Sequence, residues 1–184
     1  MSKQSRAKMV SSAASLIRTR GVNATSFSEV VADSGAPRGS IYHHFPQGKD
    51  QLAGEAIRWT SERVLAHQRG CKATTPEGVL DCFIGMWRQT VIASNGAAGC
   101  VVAGVAVDTM PDADELMRLV KDTFESWVQL LADQLKASGL RKDRARAVAM
   151  ATLAAMEGAL ILCRAQRSVK PLETVAAELK RLVA

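Results

Sequence analysis

Apolar residues in the first third of the chain recur at the spacing of α-helices, and glycine and proline interrupt them. Residues 3–20 carry an apolar face with lysine and arginine opposite, and Gly21 ends this pattern. The run Ser26-x-x-Glu29 has the form of a capping box and predicts the start of a second helix. Gly35 is expected to end that helix, because glycine readily adopts the left-handed backbone that closes many helices.

Proline and glycine also delimit the next two helices. Pro37 suits a first helical turn, where its missing N–H costs little, and it predicts a short third helix that opens at this residue. The stretch after Phe45 reads as a turn, and residues 48–67 predict a fourth helix.

The remaining two-thirds of the chain show helical periodicity between short breaks such as Asn95-Gly96 and Ser138-Gly139. No internal repeat and no convincing strand pattern occurs. The sequence therefore predicts an all-α fold of about nine helices. The helices predicted in this part are 75–94, a short buried helix at 99–107, a long one from Pro111 to about residue 137, 141–167, and a last one from Pro171.

The composition supports an all-α fold and gives no sign of a membrane span or a signal peptide. Aromatic residues make up only 4% of the chain, and the 47% of apolar residues are mainly Ala, Val, Leu and Met, a mixture that favours helices. No uncharged apolar run reaches the roughly 18 residues of a membrane span, so we expect no membrane partner. The amino terminus has charges without an apolar stretch behind them, unlike a signal peptide.

The four cysteines carry no recognisable motif. Cys71, Cys82, Cys100 and Cys163 have no CxxC spacing and no neighbouring histidine pairs, so we expect neither a disulfide framework nor a zinc site. Free cysteines are typical of a reducing compartment, and the cytoplasm is the expected location.

Positive charge is concentrated near the amino terminus. Residues 1–50 hold seven Lys and Arg against three Asp and Glu, whereas residues 51–184 hold seventeen against fifteen. This asymmetry fits a contact with a polyanion at the amino-terminal end, or simply a solvated basic helix.

The segment GAPRGSIYHHF at residues 35–45 carries the candidate chemistry. A helical wheel at about 100° per residue divides it into a polar arc and an arc that can be anchored in a core. Two short helices joined by a glycine-containing turn form a helix-turn-helix, whose second helix enters the major groove of DNA. The polar arc contains Arg38, Gly39, Tyr42 and His43, and the inward arc contains Ile41, His44 and Phe45.

Each residue of the polar arc suits a role in binding DNA. Arg38 offers donors for guanine O6 and N7 or for a phosphate. Gly39 lets the backbone approach the bases, and Tyr42 and His43 can donate to phosphate oxygens. Lys49, at the start of the fourth helix, adds a cation beside backbone N–H groups that also attract phosphate.

Metal binding and catalysis fit the same segment less well. Adjacent helical histidines point about 100° apart, so His43 and His44 cannot easily share a metal ion. No Asp, Glu or Cys in the segment completes a ligand set, and no nucleophile–base pair is visible. We therefore predict neither an enzyme nor a bound cofactor, and we interpret His44 as a structural residue.

Residues 25–52, TSFSEVVADSGAPRGSIYHHFPQGKDQL, resemble the amino-terminal DNA-binding domain of TetR-family transcriptional repressors. The form APRGSIYHHFPQGK is similar to the LmrA/YxaF-like branch of that family. The resemblance implies a helix-turn-helix domain at residues 1–50, joined through the helix at 48–67 to an effector-binding and dimerisation domain at 51–184. The DNA-contacting positions that it carries over are Thr25 or Ser26, Arg38, Gly39, Tyr42, His43 and Lys49.

The larger part of the chain suggests a dimer and a ligand pocket. Residues 145–159 are rich in Ala and Gly and, with the last helix, are typical of a dimerising four-helix arrangement, although a helix buried within the monomer is the alternative. Glu157 has apolar helical neighbours, so we expect it to pair with an arginine or with an effector, unless its helix is exposed. The residues expected to line the pocket, which could also be plain core, are Met86, Trp87, Met110, Met117, Phe124, Trp127, Glu157 and Cys163.

The sequence and the resemblance together predict a cytoplasmic, homodimeric repressor. It is expected to bind a two-fold DNA operator and to be released by a small hydrophobic or aromatic effector. A nonspecific or structural helical DNA-binding protein, and a ligand-independent regulator or activator, remain as alternatives.

Overall fold

The computed structural model describes residues 2–110 and 114–184, and within them every regular element is a helix. The prediction of an all-α fold is confirmed. In chain order the helices are α1 (Ser2–Arg20), α2 (Phe27–Ser34), α3 (Ser40–His44), α4 (Lys49–Arg69), α5 (Pro76–Ala93), α6 (Val101–Asp108), α7 (Asp114–Ala137), α8 (Lys142–Gln166) and α9 (Lys170–Arg181).

Local capping signals place several helix ends where the sequence predicts them. The Ser26 hydroxyl accepts the Glu29 N–H, and the Glu29 carboxylate accepts the Ser26 N–H, so the capping box of α2 is confirmed. Gly35 closes α2 in the left-handed conformation, and Thr75 caps α5. The predicted opening of α7 at Pro111 lies outside the described residues.

The predicted start of the third helix at Pro37 is wrong. Helix α3 begins at Ser40, whose N–H and hydroxyl reach the Pro37 carbonyl oxygen at 3.2 and 2.7 Å in a preceding turn. The cause is Gly39, because its left-handed φ of 86° cannot continue a right-handed helix. Arg38 and Gly39 therefore lie in the turn before α3, where the helical wheel does not apply.

One compact unit joins residues 1–62 with residues 100–123. In this unit α1 packs against α2 and α6, which bury its apolar face. Gly104 of α6 lies so close to α1 that a Cβ there would be 3.5 Å from the Ile17 carbonyl oxygen. The domain boundary expected at residue 50 stays a prediction, since this unit combines segments that are distant in sequence.

The other compact unit joins residues 63–99 with residues 124–184. Here α8 packs against α9, and both pack against α5. Within the described residues α8 is also long and apolar enough to cross a membrane, but core helices of soluble proteins meet the same criterion. The largest fully buried side chains of this unit are Leu80, Phe83, Ile84, Trp127, Leu131, Leu135 and Met156.

A disulfide joins Cys71, two residues after the end of α4, to Cys82 within α5. The expectation of free cysteines is therefore wrong for this pair, whereas Cys100 and Cys163 are free and buried. The two bonded cysteines meet because the end of α4 lies against α5, with the His67 Nε2 atom 3.1 Å from the Cys82 carbonyl oxygen. A spacing motif cannot reveal a pairing that helix packing creates.

Candidate DNA-binding interface

Helix α2 begins at a capping box formed by Ser26 and Glu29. The Glu29 carboxylate accepts the Ser26 N–H at 2.9 Å and the Ser26 hydroxyl at 2.8 Å, and Arg20 donates to it at 2.7 Å. These bonds from Ser26, assisted by the charge of Arg20, hold the pKa of Glu29 below its ordinary value. The capping box is therefore ionised and intact at neutral pH.

Short helix α3 separates an anchored side from an exposed side. Ile41 and Phe45 are each 1% exposed, whereas Tyr42 is 67% exposed and His43 is also exposed. The Tyr42 ring meets Phe27 of α2 edge-on at a centroid distance of 5.5 Å. The inward and outward sides predicted for these residues are confirmed.

His44 lies between the two sides of α3. It is half-buried, and its ring is edge-on to those of His43 and Phe45 at centroid distances of 5.5 and 6.4 Å. The structural role expected for His44 stays a prediction.

The turn before α3 adds two further exposed residues. Arg38 is exposed, and Gly39 follows it in the left-handed conformation. A Cβ built at Gly39 would meet no atom within 4 Å, so the backbone angle and not lack of space explains the glycine here. Arg38, Gly39, Tyr42 and His43 thus all reach solvent from one short segment.

Besides Ser26 in its capping box, two further residues predicted to contact DNA make hydrogen bonds within the protein. Thr25 is 3% exposed, and its hydroxyl donates to the Gly21 carbonyl oxygen at 2.7 Å. The Lys49 ammonium donates to the carbonyl oxygens of Val22 and Asn23 at 3.1 and 3.2 Å. Both side chains therefore hold the loop between α1 and α2, and Lys49 retains one of its three donors.

Asp108, the last residue of α6, holds the same loop. Its Oδ2 accepts the Asn23 N–H at 3.4 Å, and the Asn23 side-chain amide donates to the Asp108 carbonyl oxygen at 3.1 Å. The Asp108 carboxylate also fills the space beside Gly21, where a Cβ would lie 2.0 Å from Oδ2. Lys49 and Asp108 together fasten the loop that leads into Ser26.

The aromatic part of the expected effector pocket comes together in the unit of residues 63–99 and 124–184. The Trp87 ring lies 6.4 Å from Phe83 and 6.0 Å from Trp127, and Trp127 lies 5.7 Å from Phe124. Among the residues that the structure describes, the buried Trp87 Nε1 has no hydrogen-bond partner. This cluster combines apolar rings with an available donor.

The other expected pocket residues are less uniform. Met86 and Glu157 are half-buried, and Cys163 is fully buried, which raises the pKa of its thiol. Met110 is 70% exposed and belongs, with Met117, to the unit of residues 1–62 and 100–123. The expectation of one pocket lined by all eight residues stays a prediction.

The exposed groups of the α3 segment are hydrogen-bond donors suited to polyanions. A guanidinium, a phenol and an imidazole can donate to phosphate oxygens, and arginine can also read a base edge. In the ranges 2–110 and 114–184, no three His, Cys, Asp or Glu side chains come together to hold a metal ion. The guanidinium, phenol and imidazole of this surface are groups that can bind a polyanion such as DNA.

Comparison with known families agrees with this geometry. Residues 10–56 match the model of bacterial regulatory proteins of the tetR family, and residues 76–178 match the LmrA/YxaF-like regulator C-terminal domain. The chain belongs to the TetR family of transcriptional regulators. Within it, the resemblance to the LmrA/YxaF-like branch is confirmed.

Relatives of this TetR-family chain align over nearly its whole length. An uncharacterized HTH-type transcriptional regulator of Mycobacterium tuberculosis is 37% identical and covers 97% of this chain and 93% of that protein. YxaF of Bacillus subtilis is 29% identical, with coverages of 97% and 95%. LmrA of the same bacterium is 27% identical, with coverages of 91% and 90%.

Solved structures share the fold at lower sequence identity. A TetR regulator from Legionella pneumophila is 21% identical, with a TM-score of 0.85 and coverage of 96% of both chains. One from Agrobacterium tumefaciens is 23% identical, with a TM-score of 0.85 and complete coverage of both chains. These likenesses establish the TetR fold for this chain.

Sequence reasoning missed two contributors to this interface. Asn23 and Asp108 lie 85 residues apart, so no local spacing links them. Gly21 was the one local signal for this contact. Its position directly after α1 explains its left-handed backbone angle, but it does not reveal that the Asp108 carboxylate lies beside it.

Proposed function

We propose that this TetR-family regulator binds a two-fold DNA operator as a homodimeric repressor in the cytoplasm. The observation that carries the proposal is the α3 segment, where Ile41 and Phe45 anchor a surface that exposes Arg38, Tyr42 and His43. A helix that reads a DNA groove needs buried residues that anchor it on one side and hydrogen-bond donors on the other side. Arg38 is assigned to a base edge, and Tyr42 and His43 to phosphates.

Substitution of Arg38 tests this assignment. Arg38→Ala should lose about 1–3 kcal/mol of specific affinity, and the loss should shrink on a site mutated at the contacted base. Binding can be measured on a duplex that the wild-type protein selects from a random-sequence library. Arg141→Ala is the matched control, because it removes an arginine whose side chain is 86% exposed in the other compact unit. Equal losses on selected and random DNA would make Arg38 a phosphate contact.

The proposed dimer rests on the outer face of α8. This face is apolar or small, yet it is exposed in the single chain: Ile161 is 68% exposed, and Met150 and Leu162 are each 49% exposed. A continuous exposed apolar stripe suits a second copy of the chain, which would place α8 and α9 of both copies in a four-helix arrangement. The residues of this α8 stripe are Ala147, Met150, Ala151, Ala154, Gly158, Ile161, Leu162 and Ala165.

The proposed effector site is the aromatic cluster around Trp87. Apolar rings favour a planar, hydrophobic molecule, and the available Trp87 indole N–H favours one that carries a hydrogen-bond acceptor. In some conformers of the dimer, the spacing of the two α3 helices does not match the two halves of the operator. An effector that binds such a conformer more tightly releases the DNA.

A further inference from the structure

We propose that Cys71 and Cys82 form a reversible thiol–disulfide site that hydroperoxides close and cellular dithiols reopen. The two sulfurs are bonded in the structure, although each residue belongs to a different part of the chain, one in the linker after α4 and one in α5. A DNA-binding regulator works among reducing thiols, where disulfides are mostly transient, redox-sensing or catalytic. The regulatory consequence of this site therefore rests on the proposed function.

The bonded pair is accessible, unlike the remaining cysteines. Cys71 and Cys82 are half-buried, whereas Cys100 is 6% exposed and Cys163 is not exposed at all. Exposed Arg69 and Lys72 flank Cys71 in the chain, and nearby cations favour the thiolate that attacks oxidants. A small oxidant can therefore distinguish this pair from the two buried thiols.

The chemistry balances with a hydroperoxide as the oxidant. One thiolate attacks a peroxide oxygen, the O–O bond breaks, and a sulfenic acid forms with release of water or an alcohol after protonation. The second thiol then attacks the sulfenic sulfur, which forms the S–S bond and releases water. The peroxide gains the two electrons that the two sulfurs lose. Exchange with a dithiol returns both thiols.

The disulfide restrains the linker between α4 and α5, which other contacts hold at its two ends. The linker from Gly70 to Thr75 keeps the Cys71 N–H bond to the Gln68 carbonyl oxygen at 3.1 Å and the Thr75 cap of α5. These contacts survive reduction, so the reduced protein should fold, but residue 71 is no longer fixed to α5. The freed segment follows directly on α4, whose first residue, Lys49, holds the loop that leads into α2.

A cross-link raises the population of conformers that are compatible with it. The intact helix-turn-helix described above coexists with the closed disulfide in one structure. We therefore expect the oxidised protein to be the form that binds DNA more tightly.

The first experiment tests the chemistry without DNA. Fully reduced protein treated with hydrogen peroxide should fall from four free thiols to two, lose the mass of two hydrogen atoms, and regain both thiols with dithiothreitol. Oxidation should also raise the melting temperature by roughly 5–10 °C. Cys71→Ser should abolish each change, while Cys163→Ala should preserve it. Oxidation at Cys100 or Cys163 instead, or overoxidation of Cys71 without a disulfide, would overturn the proposal.

The second experiment tests regulation on duplexes selected from random DNA by each redox form. The operator affinity of wild-type protein should fall at least about fivefold on reduction, a typical size for coupling between sites. The Cys71→Ser/Cys82→Ser variant should keep the lower affinity in both conditions. Equal affinity of the two forms would refute redox regulation but leave the repressor proposal intact. Failure of both forms to select any sequence would refute the proposed function and leave the thiol chemistry standing.

Discussion

Lys49 shows how one ammonium group can serve either DNA or the protein's own backbone. Its sequence position, at the start of a helix beside the helix-turn-helix, suits a phosphate contact. In the structure it donates to the carbonyl oxygens of Val22 and Asn23. Because two of its three donors are used in this way, we assign Lys49 mainly to positioning the loop before Ser26.

Salt dependence separates the two roles of Lys49. Lys49→Ala should lower the free energy of unfolding by about 1 kcal/mol, because the loop loses two hydrogen bonds from a charged group at a partly exposed site. Operator affinity should also fall, while the slope of log affinity against log salt changes by less than about half a unit. Denaturant titration and binding from low to high salt measure these quantities.

Lys121→Ala provides the control, since it removes an exposed lysine of the same compact unit. A decrease in salt slope of about one unit per half-site for Lys49→Ala alone would restore the phosphate contact.

At the scale of elements, helix ends were predictable where the signal lies within a few residues. The Ser26–Glu29 capping box and the glycine after α2 are of this kind. The start of α3 after Gly39 was not predictable. Pro37, two residues before Gly39, suits a helix start, and the sequence alone does not reveal which residue takes the left-handed angle. The exposed side of α3 was still predicted, since it depends on the spacing of Ile41 and Phe45.

Contacts between distant helices could not be predicted. The contact of Asp108 with the α1–α2 loop and the pairing of Cys71 with Cys82 depend on how helices pack. The burial of Thr25 was missed for another reason, because its position in a DNA-binding motif does not reveal the nearby Gly21 carbonyl that accepts its hydroxyl.

The junction of α1 with α6 gives a prediction at this scale. Gly21→Ala should destabilise the protein by about 2–3 kcal/mol, because alanine disfavours φ near 83° and its Cβ would meet the Asp108 carboxylate. In an Asp108→Ala background the same change should cost only about 1–2 kcal/mol, since the backbone strain remains and the clash is removed. Urea unfolding of the four proteins measures this double-mutant cycle. Additive effects would mean that the carboxylate does not restrict residue 21.

At the scale of the whole molecule, the α8 stripe predicts the oligomeric state. Wild-type protein should have twice the 19.7 kDa mass of one chain in light scattering. Ala154→Glu should yield monomers, because it places a carboxylate at an exposed position in the middle of the proposed apolar interface. Ala137→Glu, at an exposed position near the end of α7, should leave the mass unchanged. A monomeric wild type, or a dimeric Ala154→Glu variant, would contradict the proposed interface.

The discontinuous unit of residues 1–62 and 100–123 has a consequence for synthesis of the protein. A ribosome releases the chain from its amino terminus, so α1 to α3 emerge before α6 has been translated. During that interval the α1 surface that Gly104 later covers lacks its native contact, and the Gly21–Asn23 loop lacks its bonds to Asp108. The nascent DNA-binding helices therefore complete their native environment only after residue 108 of the 184 has been added.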